Sequence, residues 1–193
     1  MGTCGLRPRS RGDTPEFDLR NEALKLLDRR GAIVDLAREL SELMRRERIP
    51  GVVIGGIAVL LHGYLRTTDD IDIFLDQPLQ GFADRLIAEG FQFDEQRREF
   101  VREGVPVHLV TRELVARAPR QTLVIEGITT VSLADLIEMK LESGSKNILR
   151  AQDLADVIGL IRQNGLGGEF ARHLDKTVRP VYRKLVKAIR QEG

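Results

Sequence analysis

The sequence predicts an α+β fold: a mixed β-sheet flanked by helices, followed by a helical C-terminal part. Three observations carry this. Short apolar runs bounded by Gly, Pro and Asp alternate with helical periodicity between residues 50 and 90. Closely spaced strand-like runs, with turn residues between them, fill 91–131. Beyond Ser132 the apolar spacing is helical to the end.

Taken in order, residues 21–48 place Leu24, Leu27, Ile33, Leu36, Leu40, Leu43 and Met44 at helical spacing, and Gly31 divides the run into a short and a long helix. Ile49-Pro50-Gly51 stops it. Val52 to Ile54 reads as a buried strand and Ile57 to Leu61 as a short helix closed by Gly63. Ile71 to Leu75 is a second strand, ended by Asp76-Gln77-Pro78, and Leu79 to Glu89 a helix ended by Gly90. Phe91 to Phe93, Glu99 to Arg102 and Val105 to Val110 read as strands, with Gly104 turning between the last two. Leu114 to Ala118 is expected to form a helical turn. Leu123 to Ile125 and Ile128 to Val131 flank a Glu126-Gly127 hairpin turn. Ser132 caps a helix from Leu133, and further helices are expected over 150–163, 168–175 and 178–191. The expected organisation is a disordered tail over 1–20, an α/β core over 21–131, and a helical part over 132–193 packed on that core.

Composition narrows the function. At 193 residues and 42% hydrophobic content the chain suits one domain with a small helical appendage. A net charge of +1 gives no global case for nucleic-acid or membrane binding. One cysteine, Cys4, excludes an intrachain disulfide and points to a cytoplasmic setting. Three dispersed histidines (His62, His108, His173) exclude a zinc-type spacing. No apolar run approaches the ~20 residues of a membrane span.

The chemistry concentrates between residues 52 and 75. In a strand, Asp70 and Asp72 face the same way, roughly 7 Å apart, while Ile71 and Ile73 point into a core. Paired carboxylates repel unless a cation lies between them. Gly55-Gly56 bares backbone N–H groups at a helix start, where a phosphate can dock. A cation on two carboxylates beside a phosphate cradle is the apparatus of metal-dependent phosphoryl or nucleotidyl transfer. Plainer roles compete at other positions. His62 suits a cap or packing residue. Arg150, Asp153 and Asp156 suit a surface ion-pair ladder. The basic residues of the last helix (Arg179, Arg183, Lys184, Lys187, Arg190) suit either a solvated face or an RNA contact.

Gly55, Gly56, Ala58, His62, Gly63, Arg66, Thr68, Asp70 and Asp72, at this spacing, resemble the DNA polymerase β-type nucleotidyltransferase superfamily. Within it, the likeness is to small bacterial abortive-infection and toxin–antitoxin nucleotidyltransferases. A second block, Leu136 to Leu141 with Lys140, then Arg150, Asp153 and Asp156, is similar to that family's later helix pair. Together the blocks span roughly residues 50–160.

The resemblance implies a nucleotidyltransferase-like sheet and transfer of NMP from an NTP to a hydroxyl-bearing acceptor. Gly55 and Gly56 would lie against the triphosphate. Asp70 and Asp72 would hold divalent cations, normally magnesium, with manganese the alternative. Lys140 would contact nucleotide phosphates, and Arg66 and Thr68 would orient the metal strand or the nucleotide. The acceptor class is open between RNA, a protein and a small molecule, with an antitoxin protein as an expected partner. One position departs from the family. A third carboxylate is expected on the strand Val105 to Val110, and His108 stands there. An imidazole can ligate a metal or accept a proton, but it lacks the charge that favours hard magnesium. Two expectations follow: transfer with His108 as base or ligand, or a catalytically degenerate module that binds a nucleotide or a partner. Glu99 and Glu103 are the nearby carboxylates that could substitute.

Overall fold

The structure, a computed structural model, describes residues 31–76 and 80–192. The expected tail over 1–20 and the short helix before Gly31 lie outside the described residues. Helix α1 (Ala32–Arg46) follows Gly31 and buries Ile33, Val34, Leu36, Ala37, Leu40, Leu43 and Met44 along one face. Strand β1 (Gly51–Ile54) runs without a loop into α2 (Gly55–Leu61), and β2 (Ile71–Leu75) follows. Next come α3 (Gln80–Ala88), β3 (Gln92–Asp94), β4 (Glu99–Arg102), β5 (Val105–Thr111), β6 (Thr122–Ile125) and β7 (Ile128–Val131). Three helices complete the chain: α4 (Leu133–Lys146), α5 (Ala151–Gln163) and α6 (Arg179–Glu192).

The seven strands form one mixed sheet in the order β3-β4-β5-β2-β1-β7-β6. The pairs β1·β7 and β2·β5 are parallel, and the other four pairs are antiparallel. Each face of the sheet carries its own core. On one face Val53, Ile71, Ile73 and Leu75 pack with α1 and α3. On the other, Val52, Ile54, Phe74 and Val131 pack with Leu136, Ile137 and Leu141 of α4, Val157 and Leu160 of α5, and Tyr182 and Val186 of α6. The central strand β1 is thus buried on both sides, which explains its uninterrupted apolar sequence. Ile71 and Ile73 are fully buried, each contributing about 1.5–3 kcal/mol by its removal from water.

Local chemistry sets the element ends. The Ser132 hydroxyl accepts from the Asp135 N–H at 3.1 Å and starts α4 as expected. Arg120, entering β6, donates to Asp135 at 2.9 Å and also pairs with Glu138, whose other oxygen accepts from the Asp175 N–H at 3.0 Å. That network ties the sheet edge to both α4 and the approach to α6.

Three expectations are corrected. The helical turn expected over Leu114 to Ala118 lies earlier, as a 3-10 turn at Arg112–Leu114. The helix expected over 168–175 is a 3-10 segment, Gly168–His173, with i→i+3 bonds such as Phe170 N–H to the Gly167 carbonyl at 3.2 Å. Tyr182 donates to that same carbonyl at 3.1 Å and pins the segment as a connector. Helix α2 begins at Gly55, two residues before Ile57, so the glycine pair is its first turn.

Candidate active site

Strand register builds the acidic end of the site. Asp72 pairs with His108 across β2 and β5. The antiparallel pairing of Phe100 with Val107 brings Glu99 opposite His108 from β4. Three side chains thus line up in one row on the sheet face shared with Phe74. His108 Nδ1 lies 3.3 Å from Asp72 Oδ1 and 3.5 Å from Asp70 Oδ2. On the far side of the ring, Nε2 lies 3.0 Å from Glu99 Oε2. Asp70, just before β2, is oriented by the Thr68 hydroxyl, which donates to its Oδ1 at 3.1 Å.

The glycine pair makes room for these groups. Gly55 has φ +65, and a Cβ there would lie 2.0 Å from Asp72 Oδ2. A Cβ on Gly56 would lie 2.2 Å from Thr68 Oγ1 and 2.8 Å from Arg66 Nη2. The side chains of Asp72, Thr68 and Arg66 therefore close over a backbone that only glycine permits. No side chain caps the first turn of α2.

Lys140 occupies a different environment from the one expected of a phosphate contact. Its Nζ is buried and lies 2.7 Å from both Asp153 Oδ1 and Asp156 Oδ2. The other oxygen of Asp156, a fully buried residue, lies 2.9 Å from Arg66 Nε and accepts from Gln152 Nε2 at 3.0 Å. Arg66 and Lys140 balance Asp153 and Asp156, so the cluster is neutral and locks α4 to α5 and to the segment before β2. Asp153 and Asp156 form a buried network, not a surface ladder. Arg150 stands apart from it and is exposed.

A cleft of about 330 Å³ opens beside the acidic row. Asp72 and Gly55 lie at one part of its wall, and Val110, Val115, Leu136 and Met139 supply apolar surface. Lys140, Lys146, Arg150 and Arg117 also line it. Arg117 is held by Asp175 at 2.7 Å, whereas Lys146 and Arg150 form no ion pair among the described residues.

Charge balance at the row is tight. The Asp70 carboxylate, then Asp72 and Glu99, raise His108 to about 11 against the opposing effect of burial. The His108 ring, with the Thr68 hydroxyl and Arg66, holds the Asp70 carboxyl below its ordinary value. Burial pushes His62 down; its Nε2 donates to the Val131 carbonyl at 2.8 Å, which is a packing role. One ligand atom from each of Asp70, Asp72 and His108 lies within 4.8 Å of the others. Two carboxylate oxygens and one imidazole nitrogen converging this closely fit a divalent cation.

Of the residues singled out in the sequence, Asp70, Asp72, His108 and Thr68 come together, with Gly55 and Gly56 directly beneath. Arg66 reaches the same glycine pair through its Nη2 and meets Lys140 through Asp156. Sequence reasoning missed Lys146 as a cleft residue, and it named Glu99 only as a substitute carboxylate. The signal for Glu99 was a charge beginning a strand whose next residue, Phe100, is buried.

The chain shares its fold with a solved nucleotidyltransferase-like protein and with a solved antibiotic-resistance factor. One is an antigenic nucleotidyltransferase-like protein from Paracoccidioides brasiliensis, at 18% identity and TM-score 0.52, covering 82% of this chain and 87% of that one. Another is the antibiotic-resistance factor ANT(2'')-Ia, at 14% identity and TM-score 0.54, covering 82% of this chain and 95% of that one. No protein-family model matches the chain, and no curated protein matches it in sequence.

Proposed function

We propose that this chain is a metal-dependent nucleotidyltransferase that moves NMP from an NTP to an acceptor hydroxyl. The observation that carries the reading is Asp72, which belongs both to the Asp70–Asp72–His108 cluster and to the wall of the cleft. Asp70 and Asp72 would hold the cation, magnesium or manganese, which when bound neutralises phosphate charge and favours the ionised acceptor oxygen. Lys146 and Arg150, without an ion pair among the described residues, would meet the phosphates. Gly55, half-buried against Asp72, lies on the same cleft wall, and Leu136 and Met139 offer an apolar surface to a base. In the transfer, the acceptor oxygen bonds to the α-phosphorus as the bond from that phosphorus to the bridging oxygen breaks, and pyrophosphate leaves.

The acceptor belongs to RNA, a protein or a small molecule. Action as a toxin in the cytoplasm, restrained by an antitoxin partner, is the wider form of this reading. Among the described residues no helix is long and apolar enough to cross a membrane. One feature favours a second reading, a nucleotide-binding module without turnover: His108 stands where the family resemblance implies a third carboxylate, and an imidazole brings the metal no negative charge.

The test is label transfer and pyrophosphate release from each of the four NTPs, with Mg²⁺ or Mn²⁺ and total RNA, beside the Asp70→Ala/Asp72→Ala variant. Label on an acceptor, lost in the variant, is the expected result. Nucleotide binding without transfer would leave the module reading. Neither binding nor transfer would overturn both.

A further inference from the structure

We propose that Glu99 is a positioning residue for the metal, acting through His108, and that the pair replaces a third carboxylate and turns the site toward manganese. The inference rests on the metal reading above.

A carboxylate only accepts hydrogen bonds. Glu99 Oε2, 3.0 Å from His108 Nε2, therefore selects the ring form with its proton on Nε2. Nδ1 faces Asp70 and Asp72, at 3.5 Å and 3.3 Å, and donates to them in the metal-free chain; a cation shared by the two carboxylates would displace that proton and take the nitrogen as a ligand. Metal-ligating histidines commonly donate their second ring nitrogen to a carboxylate, which fixes the ring and makes its ligand nitrogen more basic. Glu99 is suited to this role. It is 7% exposed, and among the described residues its other oxygen pairs only with the exposed Arg97, at 3.6 Å. A carboxylate buried this far needs a partner, and among the described residues His108 is the one in hydrogen-bond range. Strand pairing holds the row rigidly, because Glu99, His108 and Asp72 stand on three adjacent strands.

The charge that a third carboxylate would bring directly is supplied by Glu99 from behind the ring. The donor atom itself is nitrogen, which suits manganese better than magnesium, a cation that prefers oxygen ligands and keeps its waters.

The experiment uses the full chain and Mn²⁺ alone. Free Mn²⁺ is followed by electron paramagnetic resonance, and the bound ion by pulsed measurements that detect a directly coordinated nitrogen. Wild type is expected to bind Mn²⁺ more tightly than Mg²⁺ and to show nitrogen coupling, which His108→Gln abolishes. Glu99→Gln, nearly isosteric, is expected to weaken Mn²⁺ binding about 10–100-fold and to diminish the nitrogen coupling, with circular dichroism unchanged. His108→Asp is expected to shift the preference toward Mg²⁺, a readout that does not depend on how Glu99→Gln folds. Equal affinity and equal coupling in wild type and Glu99→Gln would overturn the proposal and leave the metal reading intact. So would bound Mn²⁺ without nitrogen coupling in wild type. No binding of Mn²⁺ by wild type would overturn both.

Discussion

Asp156 joins Lys140 to Arg66: one carboxylate oxygen lies 2.7 Å from the Lys140 ammonium and the other 2.9 Å from Arg66 Nε. A cation held this way is committed to the fold. Lys140→Met is expected to cost about 3–5 kcal/mol, because it leaves Asp153 and Asp156 buried and short of a counter-charge. Urea unfolding measures this. A loss below about 1 kcal/mol, together with a raised KM for NTP, would restore Lys140 as a phosphate contact.

Gly55→Ala places a methyl group 2.0 Å from Asp72 Oδ2 on a backbone with φ +65. The variant is expected to lose at least about 1 kcal/mol of stability from backbone strain. Divalent-cation affinity should fall with it, since Asp72 has to move. Calorimetric titration with Mn²⁺ checks the second effect, and unchanged affinity would show that Asp72 does not contribute to the cation.

Lys146→Ala and Arg150→Ala remove exposed cleft cations that have no ion pair among the described residues. Each is expected to raise KM for NTP by roughly fivefold, about 1 kcal/mol, with little change in melting temperature. Arg117→Ala should behave differently, because Arg117 also holds Asp175 at 2.7 Å and its loss releases the lead-in to α6.

In metal-free protein His108 is raised from 6.5 to about 11, chiefly by Asp70 and then by Asp72. A protonated ring favoured by the fold stabilises it fully below pH 6.5, and that stabilisation is lost progressively as pH rises through about 11. With a chelator present, the stability difference between wild type and His108→Gln should be full near pH 6 and shrink steadily above neutrality. Urea midpoints between pH 6 and pH 10 measure it. A difference independent of pH would mean that the ring is not the proton carrier in this row.

The sheet and its helices were legible because burial leaves a periodic trace. Ile71 and Ile73 alternate with Asp72, α1 repeats its apolar residues at helical spacing, and Ser132 announces α4. Asp70 and Asp72 were legible for the same reason, as charges in an apolar strand. The partners of Lys140 were harder to read. Asp153 and Asp156 have the same three-residue spacing whether they face water or a buried ammonium, and only the docking of α5 on α4 decides between them. Gly56 was read as a phosphate feature, yet the contact that excludes a side chain there comes from Thr68 and Arg66, twelve and ten residues away. The place of Glu99 depends on how β4 registers on β5, which no local pattern encodes.

Strand β1 is flanked by β2 on one side and, in parallel, by β7 on the other, where Thr130 donates to the Val53 carbonyl at 2.7 Å across 77 residues of chain. During synthesis on a ribosome, β1 therefore leaves the exit tunnel long before its second neighbour exists. In that interval the nascent chain displays a bare, apolar strand edge, the kind of surface that chaperones bind and aggregates recruit. Lys146 and Arg150 follow every strand in the chain, so an incomplete polypeptide carries the acidic row without the two cations proposed to meet a triphosphate.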